Sequence, residues 1–341
     1  MGWLCQPCPS GMDRTGAAQT VARRERRMRN IRKAVITAAG RGTRQFPATR
    51  TLQKEMLPLV DRDGITKPAL QLLVEEAVNA GIEQVGIVVN PESEAGIRAY
   101  FGALTDEEAG WGNDKQLLYE QAEHLQHLGE RIVTIVQSEP LGLGHAVYLA
   151  REFVGEEPFI MYLGDHVLLS HTEKNCTQQV LDVYAQTGGT LSAVRRTPEE
   201  RVHLYGTLAG TPLPSVTNTL HVTAMIEKPS VEQARASLRM STLPEGVYYC
   251  FFGINVFTPE IFECLERTIA EGHRMKGEYQ LTTAQQMLVE RGSYYACEIA
   301  GEALDIGIPQ GYLEAQMALG LAGTYGDALR RWMNERGGCD R

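Results

Sequence analysis

A glycine-rich turn followed by basic side chains begins near residue 40. The turn spans residues 40–44 (GRGTR), and Arg50 and Lys54 follow it. Glycines let backbone amides approach an anion closely, and successive amides in a turn can bind phosphate. A triphosphate carries more charge than such a turn offsets alone, so the cations that follow suit a nucleoside triphosphate. The pattern therefore predicts a phosphate-binding loop.

Two other phosphate-binding motifs do not fit this turn. A dinucleotide-binding fingerprint would need a third glycine at the position of Gln45. A Walker A loop would need Gly-Lys-Ser or Gly-Lys-Thr after four spacer residues, and the sequence lacks it there. A Gly-x-Gly after a strand is also compatible with an ordinary tight turn. The cations that follow are what favour phosphate binding.

A carboxylate follows another apolar run further along the chain. Asp165 comes just after residues 159–163 (FIMYL), which have the pattern of a buried strand. Ligands of open parallel sheets bind at the carboxyl ends of strands, so this position is a candidate site. Asp165 could be a Mg²⁺ ligand, or it could cap a loop. Taken alone, the strand context favours the loop cap.

The elements that must position these residues alternate between strand and helix in the first half of the chain. Buried strands are predicted at residues 33–39, 84–89, 132–136 and 159–163, and helices at residues 68–80, 115–128 and 144–153. Strands that alternate with helices imply right-handed βαβ crossovers. The pattern predicts an α/β fold with a mostly parallel sheet.

The second half has shorter, alternating strands punctuated by glycine and proline. Strands are predicted at residues 191–194, 205–208, 222–226 and 247–256, and helices at residues 259–270, 281–290, 310–319 and 326–334. Alternation of apolar and polar residues is typical of antiparallel strands. We therefore expect a mixed or antiparallel extension of the first sheet, within one continuous domain.

Composition and charge exclude some classes of protein. The chain has 341 residues, a net charge of −9 and an isoelectric point near 5.5. A general nucleic-acid binder normally has a basic surface, so nucleic acid is not an expected partner. No uncharged apolar run approaches the roughly 18 residues of a membrane span, so no membrane association is expected either.

The first 30 residues differ from the rest of the chain. They contain six arginines and two acidic residues, a net charge of +4, which leaves −13 for the remainder. We expect residues 1–30 to be a disordered basic extension. The seven cysteines are odd in number and scattered, which fits reduced thiols in a cytoplasmic protein. Cys5 and Cys8 have no nearby pair that would complete a zinc site, so they are interpreted as incidental.

Several motifs in one order resemble those of the sugar-1-phosphate nucleotidyltransferases. The matching segments are residues 38–44 (AAGRGTR), 47–49 (PAT), 54–58 (KEMLP), Gln137, 142–147 (GLGHAV), 164–165 (GD), 205–206 (YG), 227–229 (EKP), 278–282 (EYQLT) and 305–307 (DIG). The resemblance covers residues 32–320, and spaced motifs in one order are more specific than any single motif. Within the family, the bacterial uridylyltransferases are the most similar.

The resemblance implies a reaction, a fold and a domain organisation. The reaction is nucleotidyl transfer from a nucleoside triphosphate, expected to be UTP, to a sugar-1-phosphate, expected to be glucose-1-phosphate, with release of pyrophosphate. The fold is a Rossmann-like, mostly parallel mixed sheet flanked by helices, of the nucleotide-diphospho-sugar transferase type. Residues 31–322 would form the catalytic domain and residues 323–341 a C-terminal helix and tail. The family often self-associates through its C-terminal part, so a homo-oligomer is expected.

The resemblance also assigns expected roles to individual residues. Catalytic cations would be Arg44, Lys54 and Lys228. The nucleotide would be bound by Ala38, Ala39, Gly40, Gly42, Thr43, Gln137 and Gly142. The sugar would be bound by Gly206, Glu227 and Gly253. Mg²⁺ would be held by Asp165 and Asp305. His145 is expected to pack or cap a helix rather than to act as an acid or base.

Departures from the family pattern leave the base and the sugar open. Gln53 stands where a proline usually precedes the signature lysine, and Arg41 replaces a usually apolar residue. Thr283 stands where uridylyltransferases tend to have Asp, and Ile308-Pro309 is similar to guanylyl- and thymidylyltransferase endings. A thymidylyl-, guanylyl- or cytidylyltransferase is one alternative function. A regulatory paralogue that binds a nucleotide sugar without catalysis is another, although it would be expected to lack a catalytic lysine or a metal carboxylate.

Overall fold

A computed structural model describes residues 31–111, 114–275 and 277–337 of the chain. The predicted basic extension at residues 1–30, with Cys5 and Cys8, lies outside these described residues. The strands are β1 (Lys33–Ala38), β2 (Pro58–Val60), β3 (Thr66–Pro68), β4 (Gln84–Val89), β5 (Ile132–Val136), β6 (Phe159–Leu163), β7 (His166–Ser170), β8 (Thr190–Pro198), β9 (Thr207–Pro212), β10 (Thr219–Ile226), β11 (Val247–Phe257), β12 (Tyr294–Glu298) and β13 (Gly301–Asp305).

Helices connect these strands along the whole described part of the chain. They are α1 (Ala69–Asn79), α2 (Pro91–Tyr100), α3 (Lys115–Gly129), α4 (Leu143–Leu149), α5 (Arg151–Val154), α6 (Cys176–Thr187), α7 (Val231–Ser237), α8 (Glu260–Ala270), α9 (Leu281–Glu290), α10 (Pro309–Ala322) and α11 (Gly326–Gly337). Capping residues mark the starts of two of these helices. Asn90 caps α2 ahead of Pro91, and Asn175 and Gln178 form a capping box at the start of α6.

A nine-stranded sheet forms the centre of the molecule, in the order β5-β4-β1-β6-β11-β8-β12-β10-β9. Strands β5, β4, β1 and β6 are parallel, while β11 runs antiparallel to both β6 and β8. The expected mixed α/β sheet flanked by helices is confirmed. Its parallel pairings are confined to the β5–β6 half and to β8 with β12, because β11 enters the middle of the sheet in the opposite direction.

Apolar side chains cover both faces of this sheet. Strand β4 (QVGIVV) is buried from Val85 to Val89, as expected for a strand with helices on both sides. Helices α1 and α6 pack on one face, where Leu70, Val74 and Val180 are fully buried. Helices α4, α8 and α9 pack on the other face. The carboxyl ends of β1 and β6 therefore lie between two layers of helices.

A small sheet and the last two helices complete the described structure. Strand β13 pairs antiparallel with β7, and this pairing places Asp305 opposite His166. Helix α10 packs on β2, β7 and β13 through Leu319 and Ala315, and α11 packs on α10. The four cysteines among the described residues are buried and not in disulfides. In the described part of the chain, no helix is both long enough and apolar enough to cross a membrane.

The structure differs from the predicted elements at several points. The helix predicted at residues 144–153 is two short helices, α4 and α5. The strand predicted at residues 205–208 begins only at Thr207, so Tyr205 and Gly206 lie in a loop. Further elements were not predicted, because their polar residues or short lengths obscure the periodicity: helices α2, α6 and α7 and strands β2, β3, β7, β12 and β13.

Candidate active site

A cavity of about 590 Å³ opens where β1 and β6 end. Its walls come from the turn after β1, the starts of α4 and α9, the loop before β9 and the end of β10. Ligands of open α/β sheets bind at this edge of the sheet. The predicted site residues that line it are Ala39, Gly40, Gly42, Thr43, Arg44, Lys54, Gln137, Gly142, Asp165, Gly206, Glu227, Lys228, Gly253 and Asp305. Ala38 does not line it and is fully buried.

The turn after β1 is folded tightly against Lys54. Gly42 adopts a left-handed conformation, with φ 61°, and a Cβ there would lie 2.9 Å from Thr49 Cγ2 and 3.1 Å from Lys54 Cβ. Thr49 donates a hydrogen bond to the Gly42 carbonyl at 2.9 Å. Buried Gln45 donates to the Ile306 carbonyl at 2.7 Å. The turn is therefore held from both sides, and a glycine is required at position 42.

Gln53 contacts the backbone at the start of the same turn. The resemblance to the family did not suggest this role. Its Nε2 lies within hydrogen-bonding distance of the Ala38 and Gly40 carbonyl oxygens, at 2.8 Å each. Its Oε1 accepts a hydrogen bond from Asn90 Nδ2 at 3.0 Å. A proline at this position could make none of these side-chain contacts. The departure from the family pattern thus supplies hydrogen bonds to the backbone of the predicted phosphate-binding loop.

Lys54 lies between two carboxylates at the bottom of the cavity. Its Nζ is 2.6 Å from Asp165 Oδ2 and 3.2 Å from Glu55 Oε1, and its side chain is 12% exposed. Burial opposes the charge of Lys54, but Glu55 and Asp165 outweigh burial and raise its pKa. Burial raises the pKa of fully buried Glu55, only partly offset by Lys54. Burial also opposes the charge of Asp165, yet Lys54 and His166 hold its pKa well below the usual range.

Asp165 and Asp305 face each other across a small space. A Cβ on Gly307 would lie 2.8 Å from an oxygen of each carboxylate, so only a glycine fits between them. The Arg44 guanidinium also faces this space, 3.9 Å from each carboxylate. His166 Nδ1 lies 3.2 Å from Asp165 Oδ1. Asp305 ends strand β13, beside the start of β7.

This pair of carboxylates fits a hard divalent cation that is shared with phosphate oxygens. Mg²⁺ is usually bound by one or two carboxylates plus substrate phosphates and water, not by a cage of protein ligands. Among the described residues, no group of three or more His, Cys, Asp or Glu side chains could hold a metal. A two-carboxylate site next to the predicted phosphate-binding turn is consistent with that kind of binding.

Another part of the cavity wall, called here the sugar end, brings together Gly206, Glu227 and Lys228, whereas Gly253 lies against His166. Thr282 donates to Glu227 Oε2 at 3.2 Å, which links the end of β10 to the start of α9. A Cβ on Gly206 would lie 2.4 Å from the Phe251 ring, so the loop approaches β11 closely. Lys228 adopts φ 46°, its Nζ is 4.0 Å from Glu227 Oε1, and 59% of its side chain is exposed. Lys228 thus projects into open space, unlike Lys54.

Gln137 and His145 form a hydrogen-bonded pair beside the turn. Gln137 Nε2 donates to the Gly142 carbonyl at 3.2 Å, and it lies 3.0 Å from His145 Nδ1. Because a carbonyl can only accept, the amide orientation of Gln137 follows, and Nδ1 of a neutral His145 is the acceptor. Burial lowers the pKa of His145, which favours this neutral form. Gln137 therefore has its Oε1 left to face the cavity.

Sequence reasoning missed several residues of the cavity wall. They are Thr37, Arg41, Pro140, Leu143, Ala146, Leu163, His166, Leu204, Tyr205, Phe251, Asn255, Glu278, Gln280, Leu281, Thr282 and Gln285. Tyr205, Glu278, Gln280 and Thr282 belong to quoted motifs, so their motif membership was an available signal. Asn255 and Gln285 had none, because they come from distant elements and meet at the same wall only in the folded protein.

Known proteins are similar to this chain over most of its length. The sequence pattern of the family described as Nucleotidyl transferase matches residues 33–320. A UTP–glucose-1-phosphate uridylyltransferase of Bacillus subtilis is 38% identical over 292 residues, which are 84% of this chain and 90% of that protein. The chain belongs to the nucleotidyl transferase family. The family match spans almost all of the described residues and every predicted site residue.

Solved structures support the same assignment to the nucleotidyl transferase family. A UDP-glucose pyrophosphorylase complexed with UDP-glucose has a TM-score of 0.70 and 29% identity, and the match covers 85% of this chain and 98% of that one. A UTP-bound UGPase from Acinetobacter baumannii has a TM-score of 0.73 and 29% identity, over 90% of this chain and 99% of that one. The family fold is therefore shared over nearly the full length of these proteins.

Proposed function

We propose that this chain transfers a uridylyl group from UTP to glucose-1-phosphate, giving UDP-glucose and pyrophosphate. The observation that carries the proposal is that Arg44, Lys54 and the carboxylates Asp165 and Asp305 meet beside the predicted phosphate-binding turn. The names of the Bacillus subtilis relative and of the UTP-bound and UDP-glucose-bound structures support this choice of substrates.

The reaction needs alignment rather than a protein nucleophile. A phosphate oxygen of the sugar-1-phosphate attacks the α-phosphorus of UTP in line. A new phosphorus–oxygen bond forms, the bond between the α-phosphorus and the bridging oxygen breaks, and its electron pair leaves with pyrophosphate. Catalysis then consists of holding two anions together and stabilising the charge that develops between them.

The cations of the cavity are expected to bind different phosphate groups. Arg44 and Lys54, at the turn, would bind the triphosphate and the departing pyrophosphate. Lys228, at the sugar end, would bind the phosphate of the sugar. Glu227 would accept hydrogen bonds from sugar hydroxyls, while its partner Thr282 fixes the carboxylate's position. These roles follow the family resemblance, and the location of all four side chains in the cavity wall supports them.

Asp165 and Asp305 would hold Mg²⁺ next to the α-phosphate. When bound there, Mg²⁺ supplies positive charge that offsets the charge of the phosphate oxygens. Lys54 keeps Asp165 ionised, so a carboxylate ligand is available at neutral pH. His166 lies against the other oxygen of Asp165 and restricts its orientation.

The orientation of Gln137 favours a base with an imide N–H, such as uracil or thymine, over cytosine. Its Oε1 is the atom left for the ligand, and an acceptor at this position matches the N3–H of an imide such as uracil or thymine. Cytosine has an acceptor at N3, so the two acceptors would face each other. The proposal of UTP over CTP rests on this amide.

A pyrophosphate-release assay with Mg²⁺ tests the proposal. The panel pairs UTP, dTTP, GTP, CTP and ATP with glucose-1-phosphate and with other hexose-1-phosphates. We expect turnover to be highest for UTP with glucose-1-phosphate and to fall at least 100-fold in Asp165→Asn, because the loss of a charged ligand removes transition-state stabilisation. A preference for another pair would contradict the choice of substrates. Equal absence of activity in both proteins, with retained binding of the nucleotide sugar, would favour a non-catalytic paralogue.

A further inference from the structure

Two buried amide side chains, Asn255 and Gln285, line the cavity, and they are called here its floor. Asn255 and Gln285 both line the cavity and are only 5% and 3% exposed. Asn255 lies two residues beyond Gly253 on β11, and Gln285 lies one helical turn beyond Thr282 on α9. Asn255 is therefore next to a residue predicted to bind the sugar, and Gln285 is next to the hydrogen-bond partner of Glu227. A buried amide is unfavourable unless its polar atoms are hydrogen-bonded.

A chain of hydrogen bonds connects the two amides beneath the floor. Gln285 Nε2 donates to the Tyr294 hydroxyl at 2.7 Å. The hydroxyls of Tyr294 and Ser192 are 2.7 Å apart, and Ser192 donates to Asn255 Oδ1 at 2.5 Å. Because the only hydroxyl proton of Ser192 goes to Asn255, Tyr294 donates to Ser192. All the bonds run in one direction, from α9 across β12 and β8 to β11.

This direction determines which polar atoms remain for a ligand. Gln285 uses its amino group on Tyr294, so its Oε1 remains as an acceptor, without a donor among the described residues. Asn255 uses its Oδ1 on Ser192, so its amino group remains as a donor. That amino group has Met161 Sδ at 3.6 Å, a weak acceptor that takes at most one of its two protons. The floor thus offers one donor and one acceptor.

We propose that Asn255 and Gln285 form a hydroxyl-recognition subsite that selects the sugar. A hexose hydroxyl both donates and accepts, so one hydroxyl, or two neighbouring ones, matches the amino group of Asn255 and the Oε1 of Gln285. The subsite rests on the proposed function, because it requires the sugar-1-phosphate at this part of the cavity. A site built to hydrogen-bond a hydroxyl rejects the deoxy analogue, since its buried polar atoms would then be unpaired.

Kinetics of Asn255→Leu and Gln285→Met with UTP and glucose-1-phosphate test this subsite. For each variant we expect the KM for glucose-1-phosphate to rise by about 10- to 100-fold, which corresponds to one lost buried hydrogen bond. The KM for UTP should stay within twofold, because the turn and Gln137 are unchanged. Binding of UTP measured by calorimetry shows whether each variant keeps its fold.

A panel of monodeoxyglucose-1-phosphates gives a second readout. The wild type should use one deoxy sugar at least 10-fold less efficiently than the others, and Asn255→Leu should lose that preference. Ser192→Ala breaks the chain without changing a cavity residue, so we expect a smaller rise in the same KM. Thr268→Val, which removes a buried hydroxyl bonded within α8, is the control and should change neither KM.

Several outcomes would overturn the subsite. They are an equal rise in both KM values, loss of UTP binding by the floor variants, or an unchanged preference among deoxy sugars in Asn255→Leu. In each of these cases the wild type still makes UDP-glucose, so the proposed function stands. Absence of turnover by the wild type with every hexose-1-phosphate would instead overturn the proposed function, and the subsite with it.

Discussion

Two lysines of the site differ in how much of each side chain is buried. The Lys54 side chain is 12% exposed and contacts Glu55 and Asp165, whereas the Lys228 side chain is 59% exposed and lies 4.0 Å from Glu227. Both are proposed to bind phosphate. Their contributions to stability should differ, because a buried charge that loses its partner has no water to solvate it.

Replacement of each lysine by methionine separates catalysis from stability. We expect Lys54→Met and Lys228→Met each to lower kcat/KM by about 10²- to 10³-fold, since each removes a charge that stabilises the transition state. Lys54→Met should also lower the free energy of unfolding by about 3–5 kcal/mol, because Glu55 and Asp165 lose their partner. Lys228→Met should change it by less than about 0.5 kcal/mol. Urea denaturation measures both, and equal losses of stability would contradict this account.

The contact between Gln137 and His145 predicts that binding of UTP depends on pH. Nδ1 of neutral His145 accepts from Gln137, and burial lowers the pKa of His145 below its usual 6.5. Protonation turns Nδ1 into a donor and removes this contact. UTP affinity should therefore be full above pH 6.5 and fall as the pH drops through the lowered pKa of His145.

Calorimetry from pH 5 to pH 8 with the wild type and His145→Asn measures this effect. Asparagine keeps an acceptor oxygen near the position of Nδ1 but does not titrate. UTP binding to the variant should thus lose the part of the pH dependence that the histidine causes, while titration of the triphosphate affects both proteins equally. Identical pH profiles would show that His145 does not orient Gln137.

At the scale of elements, two glycines let α4 begin against the segment that leads into α9. A Cβ on Gly142 would lie 2.8 Å from the Tyr279 carbonyl oxygen, and one on Gly144 would lie 2.9 Å from the same atom. The Gly144 amide donates to that carbonyl at 2.8 Å. Helix α9 carries Thr282 and Gln285, so this contact sets the position of one wall of the cavity.

Gly144→Ala tests the importance of that contact. We expect the free energy of unfolding to fall by about 1–3 kcal/mol, as for other overpacked positions, and the KM for the sugar-1-phosphate to rise as α9 shifts. Gly96→Ala is the control, because Gly96 is an exposed interior residue of α2 and a Cβ there meets nothing within 4 Å. That substitution should raise stability by about 0.5–1 kcal/mol. A loss of stability in both variants would argue against a specific clash at Gly144.

At the scale of the whole molecule, a partly buried carboxylate joins two helices on one face of the sheet. Glu76 of α1 accepts a hydrogen bond from the Thr177 amide of α6 at 2.8 Å. Burial raises the pKa of Glu76 above its usual value, and the hydrogen bond with Thr177 only partly offsets burial. The folded state therefore binds this proton more tightly than the unfolded state does.

Stability as a function of pH measures the effect of Glu76. A raised pKa contributes stability fully below about pH 4.3, the usual value for glutamate, and this contribution is lost as the pH rises through the pKa of the folded state. Glu76→Gln keeps an acceptor for Thr177 but cannot ionise. The stability of the variant relative to wild type should therefore increase from pH 4 to pH 8. Glu92→Gln, at an exposed position, is the control for the loss of one charge.

The C-terminal helices leave apolar side chains exposed, including Leu313, Trp332 and Met333. The self-association expected from the family resemblance stays a prediction, and so does the division of the chain at residue 322. Sedimentation at several protein concentrations tests the first of these.

The parallel half of the fold could be predicted from the sequence because its strands are continuous apolar runs. Residues 84–89, 132–136 and 159–163 were predicted with the bounds that the structure has. Helix α6 was missed, because polar residues interrupt its short apolar stripe, and its capping box at Asn175 was not recognised. Tyr205 and Gly206 were predicted in a strand because their neighbours alternate, yet they lie in the loop that lines the cavity.

What the sequence alone determined is the chemistry of the local motifs: the glycine turn, the cations after it, and Asp165 at the end of a strand. These features depend on residue type and spacing along the chain. Only the tertiary structure decided which distant residues meet. It sets Asp305 opposite His166, places Gln53 beneath the turn, and joins Asn255 to Gln285 through two buried hydroxyls. Such contacts depend on how β11, β13 and α9 are arranged in the fold. Residue type and spacing along the chain do not determine that arrangement.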